Sequence, residues 1–206
     1  MAAMGAAVFC SIEKKGAKME LGKVRDALLK RGFAAEVFST REDAARRVME
    51  MAKDAQSVGW GGSETVKAMG LREAMAAAGK EIRDHETVCD LFLLSANALT
   101  ADGRIVNIDG RGNRVAASIY GPRQVVFVVG RNKIVEGGID DAIARIKRCA
   151  CPPNCRRLGK QTPCAITGKC ADCSSPDRIC MVTVIHERPA RATPTAVLLI
   201  DEDLGY

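Results

Sequence analysis

Hydrophobic and polar positions follow two alternating periods along the chain. Apolar residues recur at helical spacing in residues 20–31, 39–53, 63–78 and 137–150. Short apolar runs separate these segments, namely "FAAEVF", "SVGW", "CDLFLLSA", "QVVFVVG", "ICMVTVIHE" and "TAVLLIDEDL". Strands that alternate with helices predict an α/β fold with a mostly parallel sheet flanked by helices. The most apolar runs are typical of central strands that are buried on both faces.

Local signals set the boundaries of several elements. Ser39 has a glutamate three positions later, which is the capping-box pattern and predicts that Ser39 caps the second helix. We expect one continuous helix over residues 63–78 and a short helix over residues 113–120. The Asp102-Gly103 turn predicts a hairpin whose second strand contains "RIVNID".

Length and composition indicate one globular domain. The 206 residues suffice for one sizeable core, so we expect a single domain over residues 1–206. The composition, 47% hydrophobic and 27% charged, is that of an ordinary globular protein. Only residues 149–180 differ, since seven of the nine cysteines fall there. We interpret this segment as a Cys-rich C-terminal subregion of the same domain.

Charge and hydropathy limit the classes of partner. The net charge of +6 is modest, and aromatic residues make up only 4% of the chain. Nucleic-acid surfaces normally combine a stronger basic patch with aromatic side chains, so we expect no nucleic acid as a partner. No apolar run approaches the roughly 20 residues that span a bilayer. The apolar start, residues 1–10, lacks a basic region and a cleavage site, so we interpret it as the loosely packed N-terminus of a cytoplasmic protein.

A Gly-Gly pair follows the predicted strand that ends near Trp60. The stretch "GWGGSETV" contains Gly61, Gly62, Ser63, Glu64 and Thr65. Glycines let a backbone approach a ligand closely, and a helix N-terminus favours an anion, so these residues predict an anion-binding loop. The spacing is neither that of a P-loop nor that of a dinucleotide fingerprint. Glu64 adds negative charge and is a candidate acid or base. The alternative is a tight turn before a well-capped helix.

A second candidate segment, residues 95–114, is dense in short polar side chains. Its candidate ligand-binding residues are Asn97, Asn107, Asn113 and Arg114. Arg114 can hold a carboxylate or a phosphate with two hydrogen bonds. Asp109 lies beside a glycine and can act as an acid or base, or bind hydroxyl groups. Each residue alone is compatible with a solvated turn, but the set lies at predicted strand ends, where ligands bind in α/β sheets.

Lys133 follows the apolar run "QVVFVVG" in the stretch "GRNK". A lysine at a strand end can neutralise an anion as a point charge, and the alternative is a lysine exposed to solvent. Because the carboxyl ends of parallel strands lie at one edge of a sheet, we expect Lys133 to meet the two preceding loops there.

The cysteines form the sharpest local pattern. The spacing C-x5-C-x2-C-x6-C is formed by Cys164, Cys170, Cys173 and Cys180. Four thiolates suit tetrahedral zinc or an iron–sulfur cluster and so predict a metal site, whereas the alternative is a set of buried or redox-active free thiols. The spacing matches neither the common ferredoxin run nor a standard zinc finger. Three further cysteines, Cys149, Cys151 and Cys155, have a role that the sequence leaves open.

Five segments follow one another along the chain: "VGWGGSETV", "NALTADGRIVNIDGRGNRVAASIYGP", "VVFVVGRNKIV", "TPCAITGKCADCSSPDRIC" and "EDLGY". In sequence and in order, these segments resemble motifs of the LUD-domain family, the lactate utilisation proteins. Together they span most of residues 20–206. The four cysteines predicted to bind metal match a branch of the family that carries such cysteines, and those of residues 149–155 look like additions to it.

The resemblance implies membership of a larger fold group, that of ribose-5-phosphate isomerase, glucosamine-6-phosphate deaminase and the CoA transferases. In that group a Gly-rich loop after a strand holds a phosphate or acyl group, and "GWGGSETV" falls at the position of such a loop. The resemblance also implies a role in oxidising L-lactate to pyruvate beside iron–sulfur oxidoreductase subunits. It does not determine whether the chain itself catalyses a step, nor which organic cofactor it uses. A homodimer is compatible with the sequence, which leaves the oligomeric state open.

Three hypotheses about function follow. The leading one is a lactate-utilisation component that binds a small anionic metabolite or a phosphorylated cofactor. The alternative from another class is a non-enzymatic metal-binding assembly or electron-transfer subunit built on the cysteines. A sugar-phosphate isomerase-like enzyme rests on fold analogy alone. A Ser/His/Asp hydrolase is not indicated, because His85 and His186 lie far apart and lack a matching motif, and we interpret both as structural.

Overall fold

Strands and helices alternate along the part of the chain that the computed structural model describes, residues 20–84 and 87–206. The strands are β1 (Ala34–Phe38), β2 (Ser57–Trp60), β3 (Glu81–Asp84), β4 (Leu91–Leu94), β5 (Ala98–Thr100), β6 (Ile105–Asp109), β7 (Gln124–Gly130), β8 (Ile134–Val135), β9 (Val182–His186) and β10 (Thr195–Ile200). The α-helices are α1 (Leu21–Lys30), α2 (Arg41–Met51), α3 (Glu64–Ala68), α4 (Leu71–Ala77), α5 (Asn113–Ala117), α6 (Ile139–Arg145), α7 (Cys151–Arg157) and α8 (Pro163–Thr167). The apolar N-terminal stretch and His85 lie outside the described residues.

Six strands form a parallel sheet in the order β1-β10-β7-β4-β2-β3. In the central strand β7, alternate side chains pack into opposite cores: Phe127 into one, Val126 and Val128 into the other. Because both faces of this sheet are covered, its inner strands need continuous apolar runs rather than an alternating pattern. This sheet and its flanking helices confirm the predicted α/β fold.

A smaller sheet, in the order β8-β5-β6-β9, packs beside the large one. β5 and β6 form the hairpin expected at the Asp102-Gly103 turn, and β9 pairs antiparallel with β6. A Cβ at Gly103 (φ 87°) would lie 2.9 Å from backbone atoms of Ala27 and Leu28, so the turn needs glycine to pack against α1. The sequence did not predict this second sheet, because β8 and β5 are too short to show a periodic pattern.

Three apolar clusters join these layers. The first lies between the large sheet on one side and α1 with the small sheet on the other, and it includes Leu28 and Phe92. The second covers the opposite face of the large sheet with α2, α3 and α4, and includes Val48 and Met75. The third seats α6 on the small sheet through Ala142. Within residues 20–84 and 87–206, no helix is long and apolar enough to cross a membrane.

Two helix boundaries differ from the sequence-based expectation. Thr40, rather than Ser39, caps α2, and its hydroxyl accepts a hydrogen bond from the Asp43 backbone N–H at 3.2 Å. The helix expected over residues 63–78 is divided into α3 and α4, because Gly70 adopts the left-handed conformation (φ 62°) that ends a helix. This break leaves α3 as a short helix that follows directly on the Gly-Gly loop.

His186, at the end of β9, is buried in the first cluster. Its Nε2 lies 3.1 Å from the Ser118 hydroxyl, and its ring meets that of Phe127 edge-on with centroids 5.6 Å apart. Its Nδ1 has no hydrogen-bond partner in the described part of the chain. Burial lowers the pKa of His186 below its ordinary value, and the contact with Ser118 opposes that shift.

We predict that His186 makes the protein less stable as the pH falls. The unfolded chain takes up a proton at His186 near pH ~6.5, whereas the folded protein does so only at a lower pH. The free energy of unfolding therefore decreases as the pH falls from about 7 to about 5. Urea unfolding of the wild type and the His186→Gln variant at both pH values measures the effect, which should be smaller in the variant. An equal decrease in both proteins would contradict the prediction.

Candidate functional site

A cavity of about 450 Å³ lies at the carboxyl ends of the neighbouring strands β4, β2 and β7. Its wall includes residues 61–65 after β2, residues 95–97 after β4 and Lys133 after β7. The end of β6 and the loop that follows contribute residues 108–111, and the start of α5 contributes Asn113 and Arg114. The cavity therefore lies where loops of both sheets meet, which is the usual place for a ligand in an α/β sheet.

Arg114 is a largely buried cation, with 14% of its side chain exposed, that joins the loop after β4 to β6. Its Nε donates to Asp109 Oδ2 at 3.1 Å, and its Nη1 donates to Asn107 Oδ1 at 2.8 Å. Its Nη2 donates to Asn97 Oδ1 at 3.0 Å and to the Ile108 carbonyl at 2.9 Å. Burial lowers the pKa of Arg114, and the charge of Asp109 opposes that shift. These contacts are all with the protein, so Arg114 forms part of the structure of the wall.

Asp109 and Asn107 hold this guanidinium in place. Asp109 Oδ1 accepts the backbone N–H groups of Arg111 at 3.1 Å and Gly112 at 3.0 Å, while Oδ2 faces Arg114. Both carboxylate oxygens are thus engaged. Asn107 is fully buried and does not line the cavity, and its Nδ2 has no hydrogen-bond partner among the described residues.

The two glycines after β2 serve different purposes. A Cβ at Gly61 would lie 2.7 Å from Arg114 Cγ, so glycine at this position lets the arginine stem pack on the loop. A Cβ at Gly62 would meet nothing within 4 Å, because Gly62 faces the open cavity. Ser63 caps α3 by accepting the Val66 backbone N–H at 3.3 Å. In this loop Gly61 therefore packs against Arg114, while Gly62 leaves space for a ligand in the cavity.

Lys133 is buried in the cavity wall directly after β7. Its Nζ lies 2.7 Å from Thr65 Oγ1 and 2.9 Å from Ser95 Oγ. No carboxylate of the described chain lies within 4.0 Å of this nitrogen. Burial lowers the pKa of Lys133 well below its ordinary value, and the charges of Arg145 and Arg114 lower it further.

The segment after β10 packs against Lys133. A Cβ at Gly205 (φ 64°) would lie 2.6 Å from Thr65 Oγ1 and 3.3 Å from Lys133 Nζ, so this position needs glycine on both counts. Asn132 fixes the segment, because its Oδ1 accepts the Leu204 N–H at 3.1 Å and its Nδ2 donates to the Gly205 carbonyl at 3.2 Å. The motif "EDLGY" is therefore part of the cavity wall.

Basic side chains outnumber acidic ones around the cavity. Within the described chain, six basic and three acidic side chains line it. Each acid is paired with one base: Asp109 Oδ2 with Arg114 Nε at 3.1 Å, Glu64 Oε1 with Arg157 Nε at 3.6 Å, and Asp177 Oδ1 with Lys160 Nζ at 3.4 Å. Glu64 therefore does not leave an unbalanced negative charge at the Gly-Gly loop. The remaining positive charge favours an anionic ligand.

The cysteine-rich segment forms another part of this region. Cys151 lines the cavity, and Cys155 Sγ lies 3.7 Å from Cys164 Sγ. Burial raises the pKa of Cys151 to about 12, and the charges of Cys180, Cys155, Cys164 and Cys170 raise it further. Burial is also the main cause that raises the pKa of Cys155, to about 11. Thiols of residues 149–155 and of residues 164–180 thus lie close enough to shift one another's pKa values.

The four cysteines predicted as metal ligands do not form a metal-binding arrangement in the described chain. Cys164 is buried, and Cys170, Cys173 and Cys180 are half-buried. Arg178 ties two of them together, by donating to the Cys173 carbonyl at 2.6 Å and to the Cys180 carbonyl at 2.9 Å. Among residues 20–84 and 87–206, no group of three or more His, Cys, Asp or Glu side chains is placed to hold a metal ion. The 3.7 Å between the Sγ atoms of Cys155 and Cys164 is close to the roughly 3.8 Å that separates two thiolates on one tetrahedral ion.

The cavity brings together the predicted ligand-binding residues except Asn107, which accepts a hydrogen bond from Arg114 outside the cavity lining. Sequence reasoning missed Ser95 and Arg145. Ser95 could have been found, since it directly follows the apolar run of β4. Arg145 gave no signal, because it lies among the polar positions of α6, yet it is buried and donates to the Asn97 and Asn132 carbonyls at 2.7 Å. Burial lowers the pKa of Arg145 to about 10, and the charge of Arg148 adds to this.

Comparison with known proteins places this fold and cavity in a family. The family model for the LUD domain matches residues 21–200. The chain belongs to the LUD domain family. This confirms the resemblance drawn from the motifs and supports a protein of the lactate-utilisation type. No curated protein matches the chain.

Two solved structures are similar to this LUD domain. One is a DUF162 family protein from Deinococcus radiodurans, with a TM-score of 0.56 and 15% identity, covering 87% of this chain and 95% of that one. At this identity the likeness concerns the fold alone. The other is ribose 5-phosphate isomerase from Plasmodium falciparum, with a TM-score of 0.31 and 11% identity, covering 48% of this chain and 54% of that one.

We predict that Arg114→Ala destabilises the protein by about 3–5 kcal/mol, because it leaves the Asp109 carboxylate buried without its charge partner. Urea unfolding measures the change. The matched control is Arg123→Ala, whose partner is Asp90 at 3.4 Å and whose side chain is 82% exposed. That variant should lose about 1 kcal/mol or less. Equal losses in the two variants would show that the buried pair has no special role.

Proposed function

We propose that this LUD protein takes part in the oxidation of L-lactate to pyruvate by binding a small anionic metabolite or a phosphorylated cofactor in the cavity beside Lys133. The observation that carries the proposal is the unbalanced positive charge of the cavity. Its three carboxylates are each paired with a base, which leaves a surplus of basic side chains in the wall, Arg111 among them. A carboxylate or phosphate would supply the missing negative charge.

The polar groups around Lys133 suit such a ligand. Thr65 and Ser95 place hydroxyl groups beside its amine, and Gly62 leaves open space next to them. Asn113 lines the same cavity. A ligand with a carboxylate and a neighbouring hydroxyl or keto group would find hydrogen-bonding partners and a compensating field in one place.

The cavity is large enough for a ligand bigger than a three-carbon acid. Its volume of about 450 Å³ falls within the roughly 300–1,000 Å³ of small-molecule sites. Lactate or pyruvate would occupy only part of this space. A phosphorylated cofactor could therefore bind next to the metabolite, toward the basic side chains of Lys160 and Arg178 at the rim.

The residues for acid–base chemistry, if the chain itself catalyses a step, are Glu64 and Asp109. Glu64 is half-buried at the first turn of α3 and makes a single long ion pair, with Arg157 at 3.6 Å. Asp109 is more constrained, since its two oxygens already accept three hydrogen bonds. Glu64 is accordingly the residue that we assign to proton transfer, with Asp109 positioning Arg114.

The Gly62→Trp variant tests the binding proposal. Because a side chain at Gly62 meets only cavity space, we expect the variant to fold and to bind ligands at least about tenfold more weakly. Isothermal titration calorimetry with L-lactate, pyruvate, inorganic phosphate, a sugar phosphate and CoA measures binding.

The matched control is Gly22→Trp. Gly22 lies in α1, away from the cavity, and a Cβ there also meets nothing within 4 Å. We expect this variant to retain wild-type affinity. The proposal is wrong if the wild type binds none of the five compounds, or if Gly62→Trp binds as tightly as Gly22→Trp.

A second candidate function, a metal-binding assembly or electron-transfer subunit beside iron–sulfur oxidoreductase subunits, is favoured by the nearness of the thiols. The Cys155–Cys164 pair and the mutual influence of Cys151, Cys170 and Cys180 support it. Zinc or an iron–sulfur cluster would require Cys164, Cys170, Cys173 and Cys180 to move closer together than they lie in this structure. We therefore assign no chemical step to a metal.

Anaerobic purification tests the metal. We predict that the wild type carries iron with a visible absorption band that dithionite bleaches, or else one zinc without colour, as measured by elemental analysis and absorption spectroscopy. Cys164→Ser should lose the metal. The control Cys89→Ser replaces another buried cysteine, far from residues 149–180, and should retain it. Wild-type protein without stoichiometric metal would eliminate this function.

A further inference from the structure

The hydrogen bonds around the Lys133 amine fit a neutral amine better than an ammonium. Thr65 Oγ1 donates to the Leu204 carbonyl at 3.1 Å, and Ser95 Oγ donates to the Ala96 carbonyl at 3.4 Å. Both hydroxyl protons are thus directed away from Lys133, so both oxygens can accept a hydrogen bond from Nζ. A neutral amine has two N–H groups, which these two acceptors satisfy. An ammonium would have a third donor without a partner in the described chain.

The surroundings of the amine agree with this count. Lys133 is 4% exposed, so water compensates little of any charge that it carries. Its charged neighbours, Arg145 and Arg114, are both cations, and each is fixed by bonds to the protein. Desolvation and neighbouring cations are the two conditions that turn a lysine into a nucleophile at neutral pH.

Gly205 packs closely against the amine of Lys133. A Cβ there would approach Nζ to 3.3 Å, and the glycine leaves that position without a side chain. Lys133 also lines the cavity that holds the positive field. A ligand bound in the cavity can therefore bring a carbon atom to Nζ, whose lone pair stays free once the two N–H groups are engaged.

We propose that Lys133 forms a covalent imine with the keto group of a 2-oxo acid bound in the cavity. This proposal rests on the proposed function, because it takes the bound anion to be a carboxylate, and it adds that the ligand carries a carbonyl group next to that carboxylate. Lys133 would thus bind the ligand through a covalent bond and not only through its charge.

The step balances without an oxidant or a reductant. The Nζ lone pair attacks the keto carbon, the carbonyl oxygen takes up a proton, and Nζ loses one, which gives a carbinolamine. Loss of water then forms the C=N bond, and a proton from solvent converts the imine to an iminium. The hydroxyls of Ser95 and Thr65, within 2.9 Å of Nζ, are placed to relay these protons. The iminium keeps its positive charge beside the carboxylate of the ligand.

Reductive trapping tests the proposal. The full-length protein is incubated with pyruvate and sodium borohydride, and its intact mass and its proteolytic peptides are measured. We expect one reduced pyruvate adduct per chain, located on Lys133. L-Lactate has no carbonyl group and should give no adduct under the same conditions.

Two variants serve as matched controls. Lys133→Met keeps an unbranched side chain of similar length and should give no adduct, with a melting temperature that confirms folding. Lys80→Met removes a half-buried lysine whose Nζ donates to the Lys53 and Ala55 carbonyls outside the cavity, and the adduct should remain. If Lys133→Met does not fold, the peptide that carries the adduct in the wild type still decides the question.

The possible outcomes separate this proposal from the proposed function. Pyruvate that binds in calorimetry but leaves no adduct on Lys133 would overturn the imine and leave the binding function intact. Adducts spread over exposed lysines would also overturn it. Absence of both binding and adduct would overturn the imine and count against the proposed function as well.

Discussion

The cavity of this LUD protein depends on one largely buried cation, the guanidinium of Arg114. Taking such a charge out of water costs several kcal/mol unless the protein replaces the lost hydration. Asp109, Asn97 and Asn107 do so, together with the Ile108 carbonyl, and these groups come from different segments of the chain. Satisfying one charge therefore fixes the loop after β4 to β6 and to the start of α5. The requirement also explains Gly61, where any side chain would displace the arginine stem.

Much of the fold could be predicted because its physical causes are local. A strand buried on both faces must be apolar throughout, and the runs that became β4, β7 and β10 show this directly. The small sheet could not be predicted, since pairing between three-residue and two-residue strands depends on partners far away in sequence. The division at Gly70 and the cap at Thr40 were missed for another reason. The local sequence allows either Ser39 or Thr40 to cap α2, and either a continuous or a broken helix at Gly70, and tertiary packing selects one of the two.

The site was predictable to the extent that strand ends determine it. Gly62, Asn97 and Lys133 meet in one cavity because parallel strands end at a common edge. The pattern of apolar and polar residues did not predict that Arg145 is buried, because Arg145 lies among polar positions of α6. It also did not predict the ion pair of Glu64 with Arg157. Such contacts arise only when α6 and α7 pack over the strand ends. Local sequence can thus name the loops of a site, while the charge balance inside it depends on the whole fold.

The cavity takes its wall from two sheets that share no backbone hydrogen-bond ladder. Residues 61–65 and Lys133 follow strands of the parallel sheet, and Ile108 and Asp109 end strand β6 of the hairpin sheet. A ligand that touches both would act as a non-covalent cross-link between independently hydrogen-bonded layers. At a concentration of 100 times its Kd, it would add about 2.7 kcal/mol to the stability of the folded state. Amide hydrogen exchange would then slow in the small sheet, which is the layer held by fewer and shorter strands.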